Sequence, residues 1–591
     1  MDINQKIKPK FIVNPSHISN KTALAIQLHT SGKSNQAEDL YKKILKKDKK
    51  NFDCLHMLGV LYQQQGLLEK SINYLKQALS VNPYHASANS NLGNAYQQLN
   101  KFDIALKYID KALQIDPNFP EALFNKAVIF YKCGQWADSM YFAHLTLNQV
   151  PNNSLAMLIV GNSALKLEEW YEAEIFLKKY LSFDKNNLGI HIQIANSLHQ
   201  QGKLDESLSI IDKAINLDSS SKEAYLTRAS ILKSKYANKE AISDIEMALK
   251  IEPNNPTALM AKSEFLLRDG NYQLGWELYE SRKKIDDWSK VFSTEKYPIL
   301  TKGINVRNKK ILVTAEQGYG DNFQFIRLVS ILAKKGADVY FGIQPNMHKV
   351  LSNVKGVTKI IYANSELPCP MDYQVSLLSL PYILNINLTN IPSDIPYIQA
   401  IPDKVIYWQD KLSSFKRPKI GITWCAGVKG LNPDYVFPNI GKSINLAEFE
   451  PLSKINVDFI SLQKGNDAER SLRTLQAENW GGPEIHNFVS DIDDFSDTAA
   501  LIENLDLVIT VCTSIAHLSG AIGKPTWVLI KKDTCWRWLS DRNDSPWYPS
   551  VRLFRQPEVG DWTSVIKELA NALQIFSKDY IIEHESDKKI L

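Results

Sequence analysis

The feature that most constrains this chain is a period. Pro83, Pro117, Pro151 and Pro253 fall on one 34-residue grid, and the intervening grid points Lys185 and Ser219 lie in the equivalent turns FDKNN and LDSSS. Two columns of small residues keep the same period. One holds Ala25, Gly59, Gly93, Ala127, Gly161, Ala195, Ala229 and Ser263; the other holds Ala37, Ser71, Ala105, Ser139, Ala173, Ser207, Ala241 and Gly275. Helices that cross closely need small residues where their backbones approach, with large apolar residues between them. Leu58, Tyr62 and Leu75, then Leu92, Tyr96 and Ile109, meet the second need. Nothing but stacked helical hairpins requires this pattern at this period.

The pattern resembles the tetratricopeptide repeat, with about eight units over residues 18–289. The resemblance implies an all-α solenoid whose concave face binds a polypeptide partner. The plainer reading is a scaffold or an oligomerisation surface, and fold analogy does not choose between the two.

Beyond residue 289 the period changes. Short β-rich runs (KKILVT, ADVYFGIQ, TKIIYA and DYQVSLLSL, then KIGITWC, VDFISLQ, LDLVITV and PTWVLI) alternate with helical stretches, the pattern of parallel α/β sheets. Residues 397–419 divide the runs into two groups, predicting Rossmann-like domains over 300–402 and 417–562. Two such domains leave a cleft at the carboxyl ends of their strands. A net charge of +5 over 591 residues is too dilute to argue for nucleic acid. No stretch reaches the ~18 apolar residues of a membrane span. The N-terminal segment has positive charge but no apolar core, so it does not read as a signal peptide. Six cysteines without CxxC spacing argue against a structural zinc site and for a reducing, cytoplasmic setting.

Two loops carry the chemistry. In TAEQGYGDNFQF (314–325), Gly318 and Gly320 supply two of the three glycines of a dinucleotide fingerprint, and the next strand ends without the ribose-binding acid. A Walker A loop is excluded because Gly-Lys-Ser/Thr is missing. What remains is a turn presenting Asp321 at the start of a helix, either as its cap or as a general base facing the cleft. The matching loop, LVITVCTSIAHLSGAIGKP (507–525), passes through Thr513 and Ser514 into a helix. Hydroxyls and free N–H groups at such a start favour phosphate, although they also serve as ordinary caps.

On the stretches AEQGYGDNFQFIR, DYQVSLLSLP, GITWCAG, FISLQKG, DFSDTAALIENLDLVITVCTSIAHLSGAIGKP and WRWLSDRNDSPWYPSVRLFRQ, the segment from about 256 to 575 resembles the heptosyltransferase-type glycosyltransferases of family nine, in the bacterial subgroup with N-terminal tetratricopeptide repeats. The resemblance implies a GT-B pair: an acceptor-side domain, a donor-side domain, and a C-terminal helix, 563–576, crossing back. It places the catalytic base on Asp321, the diphosphate turn on Thr513 and Ser514 followed by His517, and a supporting cation on Lys442. Gln463 and Lys464 end a strand toward the same cleft, and Asp497 opens the next helix. Trp536, Arg537 and Trp547 either contact the donor or pack the seam between domains. Relatives carry Asp where this chain has Cys512, which reads as a small buried filler without a basic neighbour.

The function implied is a metal-independent, inverting glycosyltransferase. A nucleotide sugar is its co-substrate, it uses no other cofactor, and the repeats recruit a protein acceptor. Two rival readings are an interaction scaffold with a degenerate transferase half, and a transferase acting on a lipid-linked envelope saccharide.

Overall fold

A computed structural model describes residues 20–285, 296–362, 365–426, 441–478 and 480–590. The outer bounds expected for the repeats, 18 and 289, lie outside these residues. Compactness divides the chain into Met1–Ser220 and Ser221–Leu591. The first unit therefore ends before the repeats do, and the last two hairpins count with the sheets.

In the first unit, twelve helices run from Asn20–Thr30 to Leu204–Leu217 as six consecutive hairpins. The small columns sit where they are needed. Ala25, Ala37, Ser71, Ala105, Ala127, Ser139, Ala173, Ala195 and Ser207 are fully buried. A side chain added at Gly59, Gly93 or Gly161 would lie 2.6, 2.6 or 2.7 Å from Leu75, Ile109 or Leu177 on the partner helix. The Asn-rich turns are helix caps. Asn51, Asn153 and Asn187 accept the N–H of Cys54, Ala156 and Ile190 at 3.0, 3.0 and 3.2 Å.

A further 34-residue column is visible only in the backbone. Residues 32, 66, 100, 134, 168, 202, 236 and 270 all have positive φ, closing the first helix of each hairpin. Glycine fills five of these positions; Asn100, Glu168 and Tyr236 take the same left-handed turn without it.

In the second unit, the hairpins Lys222–Ile251 and Pro256–Tyr279 precede two sheets. The first sheet has strands β1 (Lys310–Thr314), β2 (Asp338–Ile343), β3 (Val357–Tyr362) and β4 (Tyr373–Ser376), in the order β3-β2-β1-β4 and all parallel. The second has β5 (Lys419–Thr423), β6 (Asp458–Ser461), β7 (Ile485–His486), β8 (Leu507–Val511), β9 (Thr526–Ile530) and β10 (Val551–Arg555). Its order, β10-β9-β8-β5-β6-β7, is the doubly wound one, also all parallel. β6 and β8 are buried along their whole length, as strands covered on both faces must be.

Each order reverses once, beside β1 in the first sheet and between β5 and β8 in the second. Ligands of open α/β sheets bind at such reversals. The C-terminal helix is longer than expected, Trp562–Ile590, and Val565, Ile566, Leu569 and Leu573 join the core of the second sheet. No described helix is long and apolar enough to cross a membrane.

Candidate functional site

The loop after β1 is held from several sides. Gln317 adopts a left-handed φ of 60°, and its side-chain amide donates to Tyr279 Oη at 2.8 Å. Beside it, Glu316 is buried. Its Oε1 accepts from Arg282 Nη2 at 2.7 Å and from Leu378 N at 3.2 Å. Burial raises the Glu316 carboxyl, and Arg282 offsets only part of that. Arg282 also reaches Ser379 Oγ at 3.0 Å and Glu280 at 2.8 Å. A guanidinium from just past the last hairpin therefore ties the ends of β1 and β4 together. Glu316 lies in the loop TAEQGYGDNFQF, but no spacing rule would have paired it with Arg282.

Asp321 serves as both cap and ion-pair partner. Its Oδ2 accepts the N–H of Gly318 at 3.2 Å, and its Oδ1 pairs with Arg537 Nη2, both side chains being 13% exposed. The expected free base is thus engaged in this state. Gly320 is a packing glycine. A side chain there would meet His517 Cδ2 at 2.7 Å and Ser514 Cα at 3.5 Å, so its absence lets the helix after β1 seat on the helix after β8.

On the second sheet, Thr513 caps helix Ser514–Ile522 by accepting from Ile515 N at 3.3 Å. Its Oγ1 also lies 3.2 Å from that of Thr510. Thr513 and Ser514 are half-buried, at the reversal between β5 and β8.

His517 departs from the phosphate role. It is buried, bonded through Nδ1 to Tyr548 Oη at 3.1 Å, and stacked 5.1 Å from Trp538. Burial, followed by the charges of Arg537, Arg327 and Lys442, holds its pKa well below the ordinary value, so it carries no charge for a diphosphate. Lys442 is half-buried, and its charge also bears on Cys512 and Lys531.

Cys512 has the basic neighbours it was not expected to have. Burial nevertheless raises its thiol, outweighing the pull of Lys442 and Arg537, while Trp538 Nε1 donates to its sulfur at 3.1 Å. It stays a protonated thiol and not a nucleophile.

Three expected contacts are structural. Gln463 Oε1 accepts from Trp424 N and Cys425 N at 3.1 and 2.9 Å, closing the end of β5. Lys464 Nζ donates to Ile492 O at 2.6 Å. Asp497 completes a capping box with Asp494 and pairs with Lys404 at 2.6 Å.

The aromatic residues divide the same way. Trp536 is buried 5.2 Å from Trp276, and Trp547 donates to Tyr272 Oη at 3.0 Å, so both pack the seam toward the last hairpin. Arg537 alone of that group reaches the site, its guanidinium 4.1 Å over Trp536. Arg327 was missed by sequence reasoning. It sits between the sheets, donating to Trp547 O at 2.6 Å and lying 4.2 Å from the Tyr397 ring.

Comparison with known proteins supports the first part of this picture. Tetratricopeptide repeat models match residues 52–85, 86–119, 108–140 and 188–221, so these stretches are tetratricopeptide repeats, which suggests a scaffold for protein partners. Protein FlbA of Caulobacter vibrioides is 27% identical over 346 residues, 54% of this chain. The chain spans about half the length of that curated relative, 55%. Among solved structures, YrrB, described as a TPR protein with an unusual peptide-binding site, is 22% identical with a TM-score of 0.31, covering 32% of this chain and 97% of its own. Pseudomonas aeruginosa pilF is 18% identical with a TM-score of 0.31, covering 37% of this chain and 99% of its own.

Proposed function

We propose that residues 300–562 form a GT-B-type, inverting glycosyltransferase that uses a nucleotide sugar, with the repeats recruiting a protein acceptor. The observation that carries the reading is the meeting of the two reversals: Asp321 beside β1, ion-paired with Arg537, and the Thr513–Ser514 turn after β8, brought together where Gly320 seats on Ser514. Transfer from a nucleotide diphosphate needs a base for the acceptor hydroxyl and positive charge for the leaving group. Asp321 is the base in this reading. The N-terminus of helix Ser514–Ile522, the two hydroxyls, Lys442 and Arg537 receive the charge. Arg537 would exchange its Asp321 partner for the diphosphate, so donor binding itself frees the base. One direct displacement inverts the anomeric carbon.

A second reading is favoured by two features. Asp321 is engaged by Arg537, and Cys512 replaces the family's acid, as in a transferase half kept for its shape while the repeats bind partners.

Thermal shift against UDP-, GDP-, ADP- and CMP-sugars separates the two, since a ligand that binds only the native state raises Tm. A shift with at least one sugar is expected, and none with any of them sinks the enzyme reading. With the donor in hand, Asp321→Asn is expected to lower transfer at least ~100-fold with donor affinity kept or raised, since Arg537 loses its competing carboxylate. Loss of affinity in a folded Asp321→Asn variant would contradict the base assignment.

A further inference from the structure

A cavity of about 190 Å³ lies apart from the residues assigned to transfer; Asp321, Thr513 and Ser514 do not line it. Tyr236 and Arg268, from the last two hairpins, face Lys532 and Thr534 from the loop after β9, Arg555 at the end of β10, and Gln556 just past it. Three of these side chains are buried with donors unmet. Arg268 Nε and Nη1, Thr534 Oγ1 and Gln556 Nε2 have no hydrogen-bond partner among the described residues, although the residues are only 5, 6 and 4% exposed. The carboxylates nearest Arg268, Asp533 at 3.7 Å and Asp269 at 3.8 Å, stand beyond hydrogen-bond reach. A buried donor without an acceptor costs stability, most of all when it is charged, so such a cluster calls for an explanation.

The rest of the lining leans the same way. Arg268, Lys532, Arg542 and Arg555 oppose one carboxylate, Asp541. Lys532 is engaged by Glu558 at 2.8 Å, Arg542 by Asp544 at 2.6 Å, and Arg555 by the carbonyls of Arg542 and Trp538 at 2.7 and 2.8 Å. Arg268 has Asp533 and Asp269 at ion-pair distance, yet its Nε and Nη1 donate to neither. Unmet guanidinium N–H groups beside a hydroxyl and an amide N–H suit an oxyanion, which accepts at every lone pair.

We infer that this cavity binds a small molecule bearing an oxyanion, a phosphate monoester or a carboxylate, held by Arg268, Thr534 and Gln556. Tyr236, left partly exposed on the rim with Lys532 Nζ 5.2 Å over its ring, gives the ligand's carbon skeleton a flat face. A neighbouring cavity of about 480 Å³ shares Arg268, Asp541 and Arg542 and has room for the remainder of the molecule. The site stands or falls independently of the transferase reading.

Calorimetric titration of the full chain with inorganic phosphate, glucose 6-phosphate and glucuronate tests it. Saturable binding of at least one probe is expected. Response to the two phosphates identifies the phosphoryl class, and response to glucuronate alone identifies the carboxylate class. Thr534→Val and Gln556→Leu should each weaken that binding about tenfold, the cost of one hydrogen bond to a charged group. Ser514→Ala, at the proposed donor turn, should leave it unchanged. Arg268→Met should abolish it; if that variant does not fold, the other two carry the test. The inference is overturned if no probe saturates at millimolar concentration. It is equally overturned if binding survives both Thr534→Val and Gln556→Leu, or is lost in Ser514→Ala instead.

Discussion

The two units solve the same packing problem differently. From Asn20 to Leu217 the chain repeats one contact, a small residue on one helix against a large one on its partner, so each hairpin leans on its neighbours alone. Past the last hairpin, which ends at Tyr279, the repeat stops. The core joins Trp276 and Tyr279 of the last hairpin to Phe325, Trp536 and Trp547, and single polar links such as Arg282 to Glu316 hold the loops. Redundancy spreads the cost of a change in the first unit, whereas uniqueness concentrates it in the second.

Arg282→Met tests that contrast with the largest effect. It leaves Glu316 buried without its cation, and the loss of one partner of such a pair costs about 3–5 kcal/mol. The second unit is expected to lose that much by urea denaturation; a loss below ~1 kcal/mol would mean that its links are as replaceable as the repeats' contacts.

The first unit instead carries a pH dependence. Burial, reinforced by His85, lowers the His56 pKa to about 3. The ring is bonded to Asn91 at 3.0 Å, beside Phe52 and His85, and Asp53 acts on His85. The unfolded ring takes up its proton near pH 6.5, so the unfolded state binds more protons as pH falls. The neutral ring's contribution is complete above pH 6.5 and is lost between 6.5 and about 3, at up to ~1.4 kcal/mol per pH unit. Hydrogen exchange of helix Phe52–Gln64 at pH 7 and pH 5 should show weaker protection at the lower pH, and His56→Gln should flatten the difference.

Gly93→Val tests the repeated contact itself. The new side chain meets Ile109 and the Ala105 carbonyl, and overpacking of this kind costs about 1–3 kcal/mol, read as a fall in Tm. The smallest effect has the opposite sign. Glu168 occupies the left-handed turn that glycine fills in five other hairpins, so Glu168→Gly should stabilise the first unit by about 1 kcal/mol. Destabilisation instead would show that the Glu168 side chain matters more than its backbone strain.

Legibility followed the same divide. The helical hairpins were readable because sixteen small positions state one rule sixteen times. The left-handed column escaped because Asn100, Glu168 and Tyr236 break its residue type while keeping its geometry. In the sheets, strand runs and the two loops were readable from apolar runs followed by turn chemistry. The partners of those loops were not. Arg537 lies 216 residues from Asp321 and Arg282 lies 34 from Glu316, and nothing local signals either pairing. Gln463 and Asp497 show the reverse error: polar residues at strand and helix ends look available until the backbone groups they satisfy are seen.

The seam around Trp276 also bears on how such a chain can be recombined. Its ring lies 5.2 Å from Trp536 and 5.8 Å from Phe325. A splice at the end of the repeats would cut between partners of one core, whereas a splice at Ser220 carries them together. Exchanging the first six hairpins for another array therefore calls for a junction two hairpins earlier than the repeat pattern suggests.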